Sequence, residues 1–351
     1  MLIPRNSLAR RITFARFALQ QLAQKRRVMA EIARLEAAPF AFEAPTLTLS
    51  ASEPDWRGTG VIVKTDDRFG VSARGAIWLS KPMSVVMEPK SALWVRIKGS
   101  GRIAKIADND HVFTAWADGE VEVFLKAMSE WASPTGDLIS PARVPTTGDI
   151  RVRIAPTAQA DTAPRLPNHW QHLWRLGDGT VYMPTAITDE IAIDTHGDVG
   201  ILQTDIDHVL TPHSRLTWSW RVDALPSRLP EDLTLTHDYL SVAVEFDDGS
   251  DLTFMWSAGL SHNHIFTCPL DFWCDRETHW VVRTPKDGLG RWHSEDRALW
   301  DDTQKAYGTR PARAVRLWLI ANSIFQRNRG LATVRDLRLV EGAQDGIASG
   351  P

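Results

Sequence analysis

Cysteine is nearly absent. Cys268 and Cys274 are the only two in 351 residues, too few for a disulfide scaffold. Their spacing is too wide for a Cys-x-x-Cys redox or zinc pattern, so both read as small buried hydrophobes, with a disulfide inside their loop as the alternative. Tyrosine is scarce as well, at three residues. No apolar run approaches the ~18 residues that a membrane-spanning helix needs. Neither sign of charge dominates: the formal net charge of −3 argues against a general polyanion binder, and no nucleic-acid partner is expected. Several motifs are missing: a Gly-rich phosphate loop, a dinucleotide fingerprint, a Gly-x-Ser-x-Gly elbow and a His-Glu-x-x-His pair. Their absence excludes the common forms of nucleotide-dependent redox chemistry, phosphoryl transfer and serine hydrolysis.

The composition that remains, 43% hydrophobic and 24% charged, is that of an ordinary soluble globular protein. Its length suits two domains better than one. Tryptophan is abundant, at fifteen residues, and serves either as core filler or as a flat surface for ring-shaped ligands. Near the N-terminus, Arg10, Arg11, Arg16, Lys25, Arg26 and Arg27 interrupt any secretory apolar core, so the expected compartment is the cytoplasm. An Arg-rich transit-type signal is the lesser alternative. Asn6 to Ala38 reads as one long helix, capped by Asn6 or Ser7 and ended by Pro39. Its apolar residues recur at roughly helical spacing among basic ones. It packs on its own sheet or on a second subunit, as a homo-oligomer contact, or it lies on an acidic surface, or it is a loosely held arm.

The most regular stretch is Leu216 to Trp256, with strand-like runs at Leu216–Val222, Tyr239–Phe246 and Leu252–Trp256. Leu216, Trp218, Trp220, Val222, Leu240, Val242, Val244, Phe246, Leu252, Phe254 and Trp256 share an apolar side; Thr217, Ser219, Arg221, Tyr239, Ser241 and Glu245 share a polar one. Such period-2 alternation predicts a sheet packed on one side only. Further strands are expected at Thr46–Ala51, Gly60–Lys64, Gly70–Ala73, Ala92–Ile97 and Val121–Leu125, and later at Gly200–Thr204, His279–Arg283, Val315–Ile320 and Ala332–Val340. A second helix is expected over Ser294 to Tyr307, with Ser294 as N-cap and Gly308 as stop. The fold class that follows is mainly β: two jelly-roll-like β-sandwich domains preceded by a long N-terminal α-helix. The expected divisions are 1–45 for the helix and its linker, 46–155 for the first sandwich, 156–167 for a Pro- and Ala-rich linker, and 168–351 for the second sandwich.

Two tracts carry resemblances. Asp55-Trp56-Arg57-Gly58-Thr59-Gly60-Val61, then Phe69 to Gly75, then Ala117-Asp118-Gly119-Glu120-Val121 resemble the small bacterial galactose-binding lectin domain, a calcium-dependent jelly-roll sandwich, over about 90 residues. That family continues into an Asp- and Asn-rich loop that holds calcium and sugar. Here the chain runs Lys126 to Pro134 with Glu130 as its one acid, while a hard cation needs about six oxygen ligands. The resemblance therefore implies the fold and neither the calcium nor the galactose. Trp218–Asp223, His237-Asp238 with Val242–Phe246, Leu252–Trp256, Trp292–Arg297 and Val315–Leu319 resemble an uncharacterised bacterial β-sandwich family. That sandwich is similar to carbohydrate-binding modules, in which ligands lie on the concave sheet. Residues 261–279 look like an added loop or hairpin, a lid over the polar face.

Ten of the eleven histidines fall in the second domain. His262 and His264 are two apart, on one face if their segment is a strand. They are divalent-metal ligands with His237, His279 or His293 as third partner, or pocket walls, or plain loop histidines; the expected cofactor is none. Arg221 is expected to pair Glu245 across the polar face, and Arg327, Arg329, Arg335 and Arg338 either meet an anion or form a solvated edge. The first functional reading is a cofactor-independent acid–base enzyme of lyase, hydratase, isomerase or cyclase type. In it His237, Asp238, Glu245 and His264 are catalytic, and Ser219, Arg221, Tyr239, Ser241, His262, Trp273 and Asn322 bind an organic small molecule. A carbohydrate-binding or glycan-processing protein is the alternative, and an assembly protein built on the N-terminal helix the third.

Overall fold

The computed structural model describes residues 7–126, 133, 135–137, 146–161, 166, 169–173, 181–271 and 273–342. The helix expected at the N-terminus spans Leu8–Ala37, and Ser7 Oγ caps it by accepting the Arg10 N–H at 3.3 Å. Phe17, Gln21, Val28 and Ile32 are its buried residues, a narrow stripe that lies on the body of the protein. Leu8, Ile12, Leu19, Leu22 and Met29 stay exposed. No helix among the described residues is long and apolar enough to cross a membrane.

Two four-stranded sheets form the first sandwich. One runs Leu47–Ser50, Asp149–Pro156, Arg68–Gly75, Asp110–Thr114; the other runs Arg57–Val63, Gly119–Leu125, Leu93–Ile97, Ile103–Lys105. Inward residues such as Val71, Ala73, Val95, Val121, Val123 and Val152 fill the space between them. At Gly70 the missing side chain is a packing requirement: a Cβ there meets the Phe42 ring at 2.3 Å. The tract Lys126 to Pro134, which stands where the resembled lectin family has its calcium loop, lies largely outside the described residues. Asp137 accepts from Ser133 and Thr135 hydroxyls at 2.9 Å each.

The second sandwich pairs a seven-stranded sheet with a five-stranded one. The larger runs Gln171–His172, Val199–Val209, Arg313–Asn322, Tyr239–Phe246, Asp251–Trp256, Glu277–Arg283, Ile265–Thr267; the smaller runs Tyr182–Pro184, Glu190–His196, Arg329–Glu341, Ser214–Ala224, Trp292–Ala298. The alternation over Leu216 to Trp256 is therefore real, but its three runs do not share a sheet. Leu216 to Val222 lies in the smaller sheet, and the other two runs lie in the larger. Their apolar sides face one another: Trp218 meets Phe254 at 5.6 Å and Trp220 meets Trp256 at 5.3 Å between ring centroids. These tryptophans are core. As a result the two polar faces point outward in opposite directions.

The helix expected from Ser294 is also shorter. Trp292–Ala298 is an edge strand, and the helix begins at Leu299 and runs to Tyr307, with Gly308 in the left-handed conformation after it. Strand pairing claims the residues that look like a cap. Ser294 Oγ lies 2.8 Å from Ser219 Oγ, and Glu295 accepts from Trp220 Nε1 at 3.0 Å and Arg283 Nε at 2.6 Å.

Arg327 joins the helix and both sandwiches. Its side chain, 1% exposed, donates to Val86 O at 2.9 Å, and its Nη2 lies 3.2 Å from Glu88 and 3.1 Å from Glu31. Gly197 lies against it, with room for no side chain: a Cβ there meets the guanidinium carbon at 2.8 Å. Lys90 of the first sandwich adds an ion pair to buried Asp198 of the second at 3.0 Å.

Candidate functional site

All neighbours in the larger sheet are antiparallel except Asp251–Trp256 and Glu277–Arg283, which run parallel. A parallel pair cannot be joined by a tight hairpin and needs a long crossover. Here residues 257–276 are that crossover. They fold over the outer face of the sheet, where Phe266, Cys268 and Trp273 pack with Tyr239, Ala243, Met255, Val281, Trp318 and Ile320. The segment expected to act as a lid is thus a cover imposed by strand direction.

Beneath it lies a polar cluster with no exposure to speak of. Alternation along Glu277–Arg283 turns Trp280 and Val282 into the core and Glu277, His279 and Val281 outward. His237 follows the short 3-10 turn Thr234–Thr236, and Cys268 descends from the crossover. One ligand atom from each of His237, Cys268, Glu277 and His279 lies within 4.8 Å of all the others. His237 Nδ1 is 2.6 Å from the Glu231 carbonyl, which turns Nε2 toward Cys268 Sγ, 3.5 Å away. Tyr239 Oη and Thr253 Oγ1 donate to Glu277 Oε1 at 3.2 and 3.3 Å. His279 Nε2 is 3.3 Å from the same oxygen, yet neither of its ring nitrogens has a hydrogen-bond partner. Phe266 stacks on the His279 ring at 4.9 Å.

Burial sets the electrostatics. It pushes the His237 imidazole down to about 3, with His279 adding to the effect. It also lifts the Cys268 thiol well above its ordinary range, helped by Glu277. For Glu277, burial is the largest influence and works upward, but His279, His237 and Cys268 together outweigh it and hold the carboxyl down at about 2.

Beside the cluster is a cleft of about 30 Å³ lined by Val199, Ile201, Tyr239, Leu270, Trp273, Glu277, Trp318, Ile320 and Asn322. Asn322 spans its end, with Nδ2 donating to His237 O at 2.7 Å. Trp273 stands edge-on to Trp318 at 6.1 Å, and Arg276 lies over its ring at 5.1 Å.

The structure gathers some expected site residues and disperses others. His237, Tyr239, Trp273 and Asn322 come together here. Asp238 lies outside the cleft lining: its carboxylate accepts the Phe325 and Gln326 N–H groups at 3.0 and 2.6 Å and holds that turn. Glu245 is at the far end of its strand, engaged by Arg276 at 3.5 Å and Arg316 at 3.0 Å. The pair expected between Glu245 and Arg221 does not exist, because the two residues lie on opposite sheets. Arg221 pairs Asp223 at 3.1 Å and covers Trp292, while Ser219 meets Ser294. Ser241 is buried with its hydroxyl unpartnered. His262 is exposed in a turn, and His264 is half-buried against Phe266 at 5.5 Å. Asn263, between them, has φ 63°, so the two histidines are not the strand neighbours their spacing suggests. Of the arginines read as an anion site or a solvated edge, Arg327 is buried at the junction, while Arg329 pairs Asp194 at 2.6 Å, Arg335 covers Trp292 at 4.0 Å, and Arg338 pairs Asp189 at 3.5 Å.

Sequence reasoning passed over Cys268, Glu277 and Trp318, and gave His279 only as an optional partner of His262 and His264. The one available signal was the Glu277-Thr278-His279 triplet, which puts a carboxylate and an imidazole on one face of any strand.

Residues 169–338 match a family described as "Protein of unknown function (DUF3047)". No curated protein matches the chain. Among solved structures, the chain is similar to the xyloglucanase domain of NopAA, a type three effector from Sinorhizobium fredii in complex with cellobiose. Identity is 6%, over 50% of this chain and 96% of that one, at a TM-score of 0.32. It is also similar to carbohydrate-binding modules of the β-sandwich superfamily, at 9% identity over 85% and 99% of the two chains and a TM-score of 0.25. The tandem N-terminal modules of Xyn10C from Paenibacillus barcinonensis match at 8% identity, over 86% and 99%, with a TM-score of 0.23. At these scores none of them assigns a chemistry to this chain.

Proposed function

We propose that the second sandwich binds a carbohydrate in the cleft between the outer face of its larger sheet and the crossover. The lining of that cleft carries the reading. Trp273, Trp318 and Tyr239 supply flat apolar area, and Glu277 and Asn322 supply fixed polar atoms. A sugar ring has the same division, with apolar C–H faces and a polar rim of hydroxyls. At about 30 Å³ the cleft takes a water or two, not a ring. Binding therefore requires Leu270 and Trp273 to move outward. That motion gives up the Trp273 ring contact with Trp318 and works against backbone bonds from Trp273 N and Cys274 N to Leu270 O at 2.9 and 3.0 Å, bonds from Arg276 N and Glu277 N to Trp273 O at 3.1 and 2.8 Å, and the Thr234 hydroxyl on Pro269 O at 2.8 Å.

The test is a broad glycan array followed by titration of the hits against tryptophan fluorescence. A hit should quench the emission. Trp273→Ala, checked for folding by circular dichroism, should weaken it roughly tenfold, the upper end of one aromatic contact. No binding across the array, or an affinity indifferent to Trp273→Ala, would remove the proposal.

A further inference from the structure

We infer that His237, Cys268, Glu277 and His279 form a structural zinc site that fastens the crossover to the sheet. Zinc accepts this mixture of imidazole, thiolate and carboxylate in a tetrahedron, with bonds of about 2.0 Å to nitrogen and oxygen and about 2.3 Å to sulfur. Those bond lengths imply tetrahedral edges of roughly 3.3 Å between nitrogen and oxygen and roughly 3.5 Å between nitrogen and sulfur. Two edges already have these lengths: His279 Nε2 to Glu277 Oε1 at 3.3 Å, and His237 Nε2 to Cys268 Sγ at 3.5 Å. The widest separation in the group, at most 4.8 Å, closes with a shift of about 1 Å in flexible side chains.

Three further observations point the same way. His279 is fully buried, and both of its ring nitrogens lack a hydrogen-bond partner. A buried polar group in that condition is costly unless something outside the protein's own inventory satisfies it. Next, the supporting bonds are those a metal site needs. The Glu231 carbonyl takes Nδ1–H of His237 and leaves Nε2 as the ligating atom, and Tyr239 and Thr253 hold Glu277. Finally, charge balances. A divalent ion with one thiolate, one carboxylate and two neutral imidazoles sums to zero, the total a site without solvent tolerates best. The Cys268 thiol proton leaves to solvent as the metal binds.

Four protein ligands fill a zinc tetrahedron, which marks a structural role rather than a site with an open position for substrate. The ligands come from three places: the turn before Tyr239, the crossover, and the strand after it. The metal would therefore pin the crossover at Cys268, close in sequence to Leu270 and Trp273 of the cleft lining. This inference does not need a sugar in the cleft, and metal content and glycan binding are measured separately.

The experiment uses the full chain. Purified protein is stripped with EDTA, returned to zinc chloride, dialysed and measured by mass spectrometry for bound metal. One zinc per chain is expected, together with a higher melting temperature than the stripped form. Cobalt substitution should give intense tetrahedral visible bands and a thiolate-to-cobalt charge-transfer band. Cys268→Ser should abolish that band, and Cys274→Ser should leave it. Substoichiometric zinc in folded protein, a cobalt spectrum without the thiolate band, or a band that follows Cys274 would overturn the assignment. Should Cys268→Ser not fold, zinc X-ray absorption on the unaltered protein decides. One sulfur at about 2.3 Å beside lighter ligands supports the site, and a shell of nitrogen and oxygen alone refutes it.

Discussion

Removing the Arg327 side chain should loosen the whole assembly, because one guanidinium serves the helix, the first sandwich and the second. In Arg327→Ala the Val86 carbonyl and the Glu31 and Glu88 carboxylates lose their shared donor. The carboxylates are only 23% and 14% exposed, so water replaces the lost partner poorly. Breaking a buried ion pair from one side costs about 3–5 kcal/mol. The partial exposure of Glu31 moves the expectation toward the lower end of that range. Arg327→Lys should recover part of the loss, since an ammonium keeps the charge but lacks the planar fork that reaches several acceptors at once. The assay is equilibrium urea unfolding followed by tryptophan fluorescence and far-ultraviolet circular dichroism together. The first transition should move to lower urea, and the two probes should separate as the sandwiches uncouple. Gly197→Ala should push in the same direction, both because its Cβ meets the guanidinium and because the position has φ +71°. A midpoint shift worth less than about 1 kcal/mol in Arg327→Ala, the size of an average point substitution, would refute the idea that this residue is the clasp.

The remaining predictions concern the first sandwich. His111 is 2% exposed, and its Nδ1 accepts the Ala107 N–H at 3.4 Å; burial, only partly opposed by Asp161 and Asp108, pushes its pKa from 6.5 down to about 4. The unfolded chain then binds the extra proton first, so stability is full above pH 6.5 and falls as pH drops toward 4, by roughly 3 kcal/mol in total. Urea midpoints measured across that window for the unaltered protein and His111→Phe should diverge at high pH and converge in acid by that amount; parallel curves would show that this histidine does not titrate between the two states. Gly70→Ala should displace the Phe42 ring, which its new Cβ meets at 2.3 Å, at a cost of about 1–3 kcal/mol for overpacking. Limited proteolysis should then cut near Phe42 faster than in the unaltered protein, and an unchanged cleavage rate would mean the ring has somewhere else to go.

Much of the local structure was legible in the sequence, because it depends on neighbours in the chain. Ser7 capping a helix that ends before Pro39, and the alternation of Trp218, Trp220, Val242, Val244, Phe254 and Trp256, are of this kind. Which sheet each strand joins is a different matter. Leu216 pairs with Leu339 and Arg297, and no pattern within Leu216–Val222 encodes partners so distant. Period-2 alternation fixes a face but not the sheet, so one polar face was expected where there are two, back to back. The Ser294-Glu295-Asp296 segment shows local signals losing to tertiary ones: its cap-like residues serve Ser219, Trp220, Arg283 and Arg215 across strands. Cys268 reads in the sequence only as a small hydrophobe or as half of a loop disulfide with Cys274, and both cysteines are free; its cluster partners lie at positions 237, 277 and 279 and meet only through the crossover.

The parallel strand pair also has a kinetic consequence. Asp251–Trp256 can zip onto Tyr239–Phe246 through the short connection 247–250, but Glu277–Arg283 must wait until residues 257–276 have closed. Loop-closure entropy grows as the logarithm of length, so the longer closure costs roughly 1.4 kcal/mol more, about a tenfold penalty in rate. In the metal-free chain the crossover should be the last part of this sheet to form and the first to open. Its amides, those of Ile265–Thr267 included, should exchange hydrogen well ahead of those in Tyr239–Phe246. Whatever occupies the cleft would then meet a wall drawn from the least protected segment of an otherwise slow-exchanging sandwich.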